Sequence, residues 1–235
     1  MTAHYRDLGS SVDTVDGAQY FAVSGLLRPG ARSFGLYRDG VKRAIDLALV
    51  ILSFPVTLPL MMALALMVAL DGGRPFYSQE RVGRGGRIYT MWKLRSMVPD
   101  AETKLEAHLA SNAAARAEWD STQKLKDDPR ITKFGRFLRK SSFDELPQLL
   151  NVLIGDMSLV GPRPMMPEQE ILYPGTAYFD LRPGVTGYWQ ISDRNNSTFA
   201  ERAVFDTRYN KDVSLSADVA TIAATFKVVL RGTGY

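Results

Sequence analysis

From Leu47 to Leu70 the chain has 24 consecutive positions without a charged side chain. As an α-helix this run measures about 36 Å, more than the roughly 30 Å hydrocarbon core of a bilayer. Buried helices of soluble domains seldom stay apolar so long, so the run is read as entering a membrane. Its flanks argue against a plain span. Arg38, Lys42 and Arg43 precede it, while Arg74, Arg81, Arg84 and Arg87 follow it. Positive charge prefers the cytoplasmic face, and here both ends carry it. Inside the run, Ser53-Phe54-Pro55 and then Pro59 remove backbone donors and kink a helix. The expectation is a re-entrant helical hairpin over residues 38–72 that bends near Ser53–Pro55. The Ser53 hydroxyl would then help satisfy a carbonyl freed at the bend, a severe requirement in lipid.

The rest of the chain is long enough for one domain of ordinary size. With 46% apolar residues it can build a packed core, and its formal charge is +4. It has no cysteine and only two histidines, His4 and His108, which excludes disulfides and thiolate chemistry and argues against a histidine triad or zinc site. Residues 1–37 read as a flexible lead, without the apolar h-region of a cleaved secretion signal. Phe76-Tyr77 and Ile88-Tyr89 flank a Gly83–Gly86 turn, the pattern of a β-hairpin. Trp92 suits the headgroup zone. Residues 99–124 read as an amphipathic helix ended by Asp127-Asp128-Pro129, and Lys133–Lys140 as a basic helix. Residues 217–230 form a broken apolar helix that lies at the interface or packs on the domain. The expected fold is α-rich α+β. A re-entrant membrane hairpin carries a small catalytic domain, residues 73–235, with amphipathic interface helices and a short β-hairpin.

Chemistry concentrates in Ser141-Ser-Phe-Asp-Glu-Leu-Pro-Gln-Leu-Leu-Asn. Asp144 suits a helix N-cap, with Glu145 and Pro147 in the first turn. A Ser142–Glu145 capping box is the other local reading. Two acids can decorate a helix end merely to complement its dipole. Their neighbours point further. Arg139 and Lys140 lie just upstream, and Gly161-Pro-Arg-Pro holds Arg163 in a stiff turn downstream. Arg182-Pro-Gly-Val-Thr-Gly-Tyr-Trp-Gln-Ile-Ser-Asp-Arg repeats the pattern of glycine turns, aromatics and arginines. Arginine is well shaped to grip phosphate oxygens. A carboxylate pair among arginines therefore suits a substrate with several phosphates. The acids hold Mg²⁺, or one attacks phosphorus while the other binds metal.

From about Val41 to its C-terminus the chain resembles the monotopic polyprenyl-phosphate phosphoglycosyl transferases, bacterial sugar transferases that prime surface polysaccharide assembly. The resemblance rests on Lys-Arg-Ala-Ile-Asp, Trp-Lys-Leu-Arg-Ser-Met, Asp-Glu-Leu-Pro-Gln-Leu-Leu-Asn-Val, Gly-Asp-Met-Ser-Leu-Val-Gly-Pro-Arg-Pro and Arg-Pro-Gly-Val-Thr-Gly-Tyr-Trp-Gln-Ile, in that order. The Leu-Lys-Asp-Asp-Pro-Arg segment and the closing Arg-Gly-Thr-Gly-Tyr are similar to the exopolysaccharide-priming galactosyl-phosphate transferases in particular. The resemblance implies that Asp144 attacks the sugar-bearing phosphate of a UDP-sugar and releases UMP. Undecaprenyl phosphate would then take the phosphosugar from the aspartate. Glu145, with Asp144 beside it, would hold Mg²⁺. Lys93, Arg95, Arg139 and Arg163 would surround phosphates, while Arg182, Gln190, Arg194 and Asp206 would contact nucleotide or sugar. The implied place is the cytoplasmic face of the bacterial inner membrane, among its lipids. Galactose or glucose is the implied sugar, and the oligomeric state stays open.

Two other classes fit the sequence less well. A membrane scaffold that binds polyprenyl phosphate or acidic lipids without turnover leaves the acid pair unexplained, because the pair repels anions unless metal is present. A membrane-anchored nucleic-acid binder rests only on the basic and aromatic stretch from Arg74 to Arg95. That chain has no helix-turn-helix or RNA-binding signature, so no nucleic-acid partner is expected.

Overall fold

The computed structural model describes residues 35–70, 72–122, 125, 127–192 and 199–230. Nearly all of the N-terminal lead, residue Arg194 and the closing Arg-Gly-Thr-Gly-Tyr lie outside the described residues. A π-helical turn over Tyr37–Val41 leads into α1, Lys42–Leu70, which is 29 residues and about 44 Å long. It is long and apolar enough to cross a membrane, and 17% of its most apolar 18-residue window is buried in the molecule. Pro55 and Pro59 lie inside a helix that carries on past both. Ser53 Oγ donates to Val50 O at 2.8 Å, and Thr57 Oγ1 to Ser53 O at 3.0 Å. The serine therefore serves a carbonyl one residue before Ile51, whose i+4 donor Pro55 removes. The expected role for Ser53 is corrected to that extent.

Both ends of α1 are fastened to the same folded unit. At its start, Lys42 Nζ lies 2.6 Å from Asp218 Oδ2, and Arg43 donates to Val152 O and Leu153 O at 2.5 and 3.0 Å. One turn later Ser158 Oγ donates to Asp46 Oδ2 at 2.6 Å. At its end, Arg95 Nη2 donates to Val68 O at 3.0 Å. Between these ties, Val50 packs on Tyr89, Met91, Val152 and Met157. Leu64, Ala65 and Val68 pack on Leu94 and Leu138. The opposite side is apolar and bare, with Leu52, Val56, Leu66 and Leu70 all more than 60% exposed.

The expected hairpin is present. Strands β1 (Phe76–Val82) and β2 (Ile88–Leu94) pair antiparallel, from Phe76 opposite Leu94 to Val82 opposite Ile88. The single amphipathic helix expected over 99–124 divides into α2 (Ala101–Ser111) and α3 (Ala113–Thr122). Asn112 separates them in an extended conformation, and its side chain accepts from Ala115 N at 3.0 Å. This local bond rivals helix continuation, as expected of asparagine. The basic tract becomes α4, Lys133–Ser141, capped by Thr132 Oγ1, which accepts from Gly135 N. Then come α5 (Gln148–Ile154), β3 (Ser158–Val160), α6 (Ala177–Asp180), β4 (Gly184–Thr186) and α7 (Tyr188–Ile191). The chain closes on α8 (Arg202–Asp212) and α9 (Leu215–Leu230). α9 packs on the domain: Ile222 joins the cluster of Val160, Leu181 and Tyr209.

The parallel pair β3–β4, with Ser158 opposite Gly184 and Val160 opposite Thr186, was not legible in the sequence. It depends on close backbone approach. A Cβ built at Gly184 would stand 2.1 Å from Gly161 N, and one at Gly187 only 2.0 Å from Gly161 O. The glycines of Gly161-Pro-Arg-Pro and Arg182-Pro-Gly-Val-Thr-Gly thus press the two loops together.

Asn151 joins α5 to the hairpin. It is fully buried. Its Oδ1 accepts from Trp92 N at 3.1 Å, and its Nδ2 donates to Thr90 O at 2.7 Å. The side chain thereby takes the place of a third strand along the outer edge of β2. Asn151→Ala leaves a buried donor and a buried acceptor unpaired, each costing about 1–3 kcal/mol. The variant is expected to lose about 2–4 kcal/mol of stability, read as a lower midpoint in denaturant unfolding.

Candidate active site

The acid pair lies where α4 gives way to α5. Ser142 takes a left-handed conformation, φ 58°, and its amide closes α4 on Arg139 O. It is the one non-glycine residue with positive φ among the described residues, and such strain gathers at functional sites. Phe143–Glu145 then form a single 3-10 turn. Pro147 caps α5. Asp144 is therefore inside the turn and is not an N-cap, and Ser142 makes no side-chain cap bond. Both local readings of the acids are corrected. The reversal at Ser142 instead turns the pair toward β2.

Lys93 on β2 meets them. Its Nζ is 2.7 Å from Glu145 Oε1 and 4.0 Å from Asp144 Oδ2. Arg139 is held alongside: its Nε donates to Ser96 Oγ at 2.9 Å. That contact exists because α4 lies directly on the chain after β2. A Cβ at Gly135 would come within 1.9 Å of Ser96 O, so only glycine fits there. Asp144 is buried, 9% exposed. Burial pushes its carboxyl up to about 6, the Glu145 charge adds to the rise, and Lys93 and Arg139 offset part of it. Asp144 is thus mostly ionised at pH 7 but protonated below about 6. Arg139 is lowered by its own burial, and Asp144 partly restores it.

Beside the pair is a cleft of about 250 Å³, lined by Arg81, Lys93, Glu145, Gln148, Arg163 and Gly184 among others. The structure therefore brings Lys93, Arg139, Asp144, Glu145 and Arg163 to one place. Other residues singled out in the sequence go elsewhere. Arg95 caps the end of α1 at Val68 O. Arg182 Nε donates to Gly155 O at 3.0 Å and lines a second cleft, at the start of α1, with Arg38, Lys42 and Arg43. Gln190 is buried beside Trp189. Asp206 is also buried and accepts from Tyr173 Oη at 2.8 Å. Arg81, Gln148 and Arg202 were not among the sequence candidates. Arg81 read only as a flanking charge, and Arg202 reaches Trp189 through contacts that no local spacing reveals.

The donor set suits Mg²⁺, which takes one or two carboxylates and fills its shell with water and phosphate oxygens. Asp144 and Glu145 supply two carboxylates. No group of three or more acids or histidines occurs among the described residues, so substrate oxygens would have to complete the shell.

Residues 37–232 match the family model described as bacterial sugar transferase, and the chain belongs to that family. It is 47% identical over 196 residues to a UDP-galactose-lipid carrier transferase of Erwinia amylovora, a match covering 83% of this chain and 41% of that protein. It is 46% identical over 196 residues to an undecaprenyl-phosphate galactose phosphotransferase of Salmonella typhimurium, with 83% and 41% covered. The chain thus spans less than half the length of these two relatives. With the exopolysaccharide production protein ExoY of Sinorhizobium fredii it shares 43% identity over 196 residues, covering 82% of this chain and 87% of that protein.

The raised carboxyl of Asp144 has a stability consequence. Between about pH 4 and 6 the folded state holds a proton that the unfolded state has lost, so this group's contribution falls as pH rises through that window. Above pH 6 the penalty is complete. In the presence of a chelator, Asp144→Asn is expected to be more stable than the parent above pH 6, on the order of 1–3 kcal/mol. The advantage should vanish below pH 4. Thermal midpoints from pH 4 to 8 measure it.

Proposed function

We propose that this bacterial sugar transferase moves a hexose 1-phosphate, galactose or glucose, from a UDP-sugar to undecaprenyl phosphate. UMP is released, and the step primes exopolysaccharide synthesis. The observation that carries the reading is the buried Asp144 in its 3-10 turn, joined through Lys93 to Glu145 at the mouth of an arginine-lined cleft. A relative named for undecaprenyl-phosphate galactose transfer and another named for exopolysaccharide production agree with it.

In the proposed reaction an Asp144 oxygen attacks the sugar-bearing phosphorus. The bond from that phosphorus to the bridging oxygen breaks, and UMP departs with the electron pair. A phosphate oxygen of the lipid then attacks the same phosphorus, and the Asp144 carboxylate leaves. Mg²⁺ bound to Glu145 and Asp144 would neutralise charge that builds on the diphosphate. Lys93 balances the acid pair before substrate enters, and Arg139 and Arg163 receive phosphate oxygens. Burial of Asp144 excludes water, which protects the acyl phosphate from hydrolysis.

The membrane arrangement is part of the proposal. Residues 38–72 form a re-entrant anchor and residues 73–235 the catalytic domain, at the cytoplasmic face of the inner membrane. Supporting this, both ends of α1 bind one folded unit, through Lys42 and Arg43 at one end and Val68 at the other. A helix crossing the bilayer would leave those ends on opposite sides. The bare apolar side of α1 is then free to meet lipid.

The deciding assay is UMP release from UDP-galactose or UDP-glucose with undecaprenyl phosphate and Mg²⁺. Asp144→Asn is expected to reduce turnover at least 10³-fold with folding retained, and Glu145→Gln about 10²-fold, with a higher Mg²⁺ requirement. Near-parental turnover in Asp144→Asn removes the aspartate as nucleophile. Before lipid is added, mass spectrometry of the parent should find a hexose-phosphate adduct on Asp144. For the anchor, cysteines engineered at Gly40 and Gly73 are expected to react with an impermeant reagent from the same side. Labelling from opposite sides sinks the re-entrant arrangement.

A further inference from the structure

Two arginines meet over one indole, and a third lies beside one of them. The guanidinium carbons of Arg163 and Arg202 lie 5.4 and 4.4 Å from the Trp189 ring centroid. Arg202 is also 4.5 Å from the Phe199 centroid, so two aromatic faces hold it. Arg81 lines the Asp144 cleft together with Arg163. Among the described residues none of the three forms a salt bridge. The Nε atoms of Arg81 and Arg202 are buried without a hydrogen-bond partner. Beside Trp189, Gln190 is 7% exposed, with both side-chain amide atoms unpartnered.

Such an arrangement is costly when empty. Burial lowers Arg81 and Arg202, the latter to about 10, and Arg163 repels both. Asp206 eases Arg202 but already accepts from Tyr173 and is itself pushed up to about 7 by burial. The acids of the cleft are engaged by Lys93. Half-buried guanidiniums held close together, with buried and unpartnered Nε atoms, call for an anion of several charges and many oxygens. Cation–π contact with Trp189 and Phe199 supplies the orientation in advance.

We infer that Arg81 and Arg202, with Arg163, form a guanidinium cradle for the diphosphate of a nucleoside diphosphate donor, and that Trp189 and Phe199 hold Arg202 in register. The inference rests on the proposed donor chemistry and deepens it. Lys93 and Glu145 sit at the acid pair, where the phosphorus under attack must lie. The cradle takes the other phosphate, which becomes the leaving monophosphate and carries the new charge. Arg202 is a binding residue and Trp189 a positioning residue.

The test is titration of the full chain in nanodiscs with UDP, UMP, uridine and inorganic pyrophosphate, using the parent, Arg202→Met, Arg202→Lys and Arg81→Met. The parent should bind UDP at least tenfold more tightly than UMP, with uridine weakest. Arg202→Met and Arg81→Met should each weaken UDP 10- to 100-fold and leave uridine unchanged, while Arg202→Lys recovers part of the loss. In turnover, the donor KM should rise more than kcat falls. Unchanged UDP affinity in both methionine variants overturns the cradle. Equal loss of UDP and uridine also overturns it, because that outcome marks a structural plug. Arg81 lies outside the aromatic pair, so Arg81→Met decides if Arg202→Met fails to fold. If the parent binds pyrophosphate through Arg202 as tightly as UDP, the cradle stands and the uridine-nucleotide reading falls instead.

Discussion

The outer edge of β2 is held by a single side chain, and the geometry of the acid pair depends on it. A two-stranded hairpin is marginal by itself. Here Asn151 supplies one acceptor and one donor to the free edge, at Trp92 N and Thr90 O. The same helix carries Val152, which packs with Val50 of α1 and with Tyr89 and Met91 of β2. Strand, anchor helix and α5 are thereby locked as one body. Lys93 then has a fixed position opposite Glu145, three residues before Gln148, where α5 begins. Loosening Asn151 would move the lysine relative to the acids before any residue of the pair changed.

The long apolar helix, the hairpin and the C-terminal helix were legible because each has a strong local signal: a charge-free run, two aromatic-rich strands about a glycine turn, and a 3.6-residue period. The break at Asn112 and the 3-10 turn at Phe143–Glu145 were not. Each turns on a single residue's backbone choice, the extended Asn112 and the left-handed Ser142. Propensity barely distinguishes such choices from helix. β3–β4 was hidden for another reason. Its strands are three residues each and pair across a long connection, so neither has enough alternation to announce itself. Their glycines read as turns, although in the fold they are points of contact between two loops.

The site divides along the same line. Asp144, Glu145, Arg139 and Arg163 stand out in the sequence because acids and arginines cluster in short segments, while Lys93 enters only through the family resemblance. Arg81 and Arg202 come from a strand and a helix more than a hundred residues apart, and only folding brings both near Arg163. Arg95 and Arg182 stand apart from that group. Both sit in arginine-rich segments, yet the structure commits them to carbonyls at helix ends, Val68 O and Gly155 O. An arginine in a sequence does not say whether it will hold a phosphate or a C-terminal carbonyl, because both offer partial or full negative charge to the same fork.

The double fastening of α1 makes the helix a depth gauge. With its bare side in a bilayer, neither end can sink or rise without carrying the acid pair along, because Val50 and Leu64 grip strands and helices that also hold Lys93 and Phe143. In the proposed arrangement the height of Asp144 above the acyl chains would therefore be set by the molecule and not by thermal bobbing of a tethered domain. A phosphate on a long lipid would need to be found only by sliding within the plane, a two-dimensional search at constant elevation.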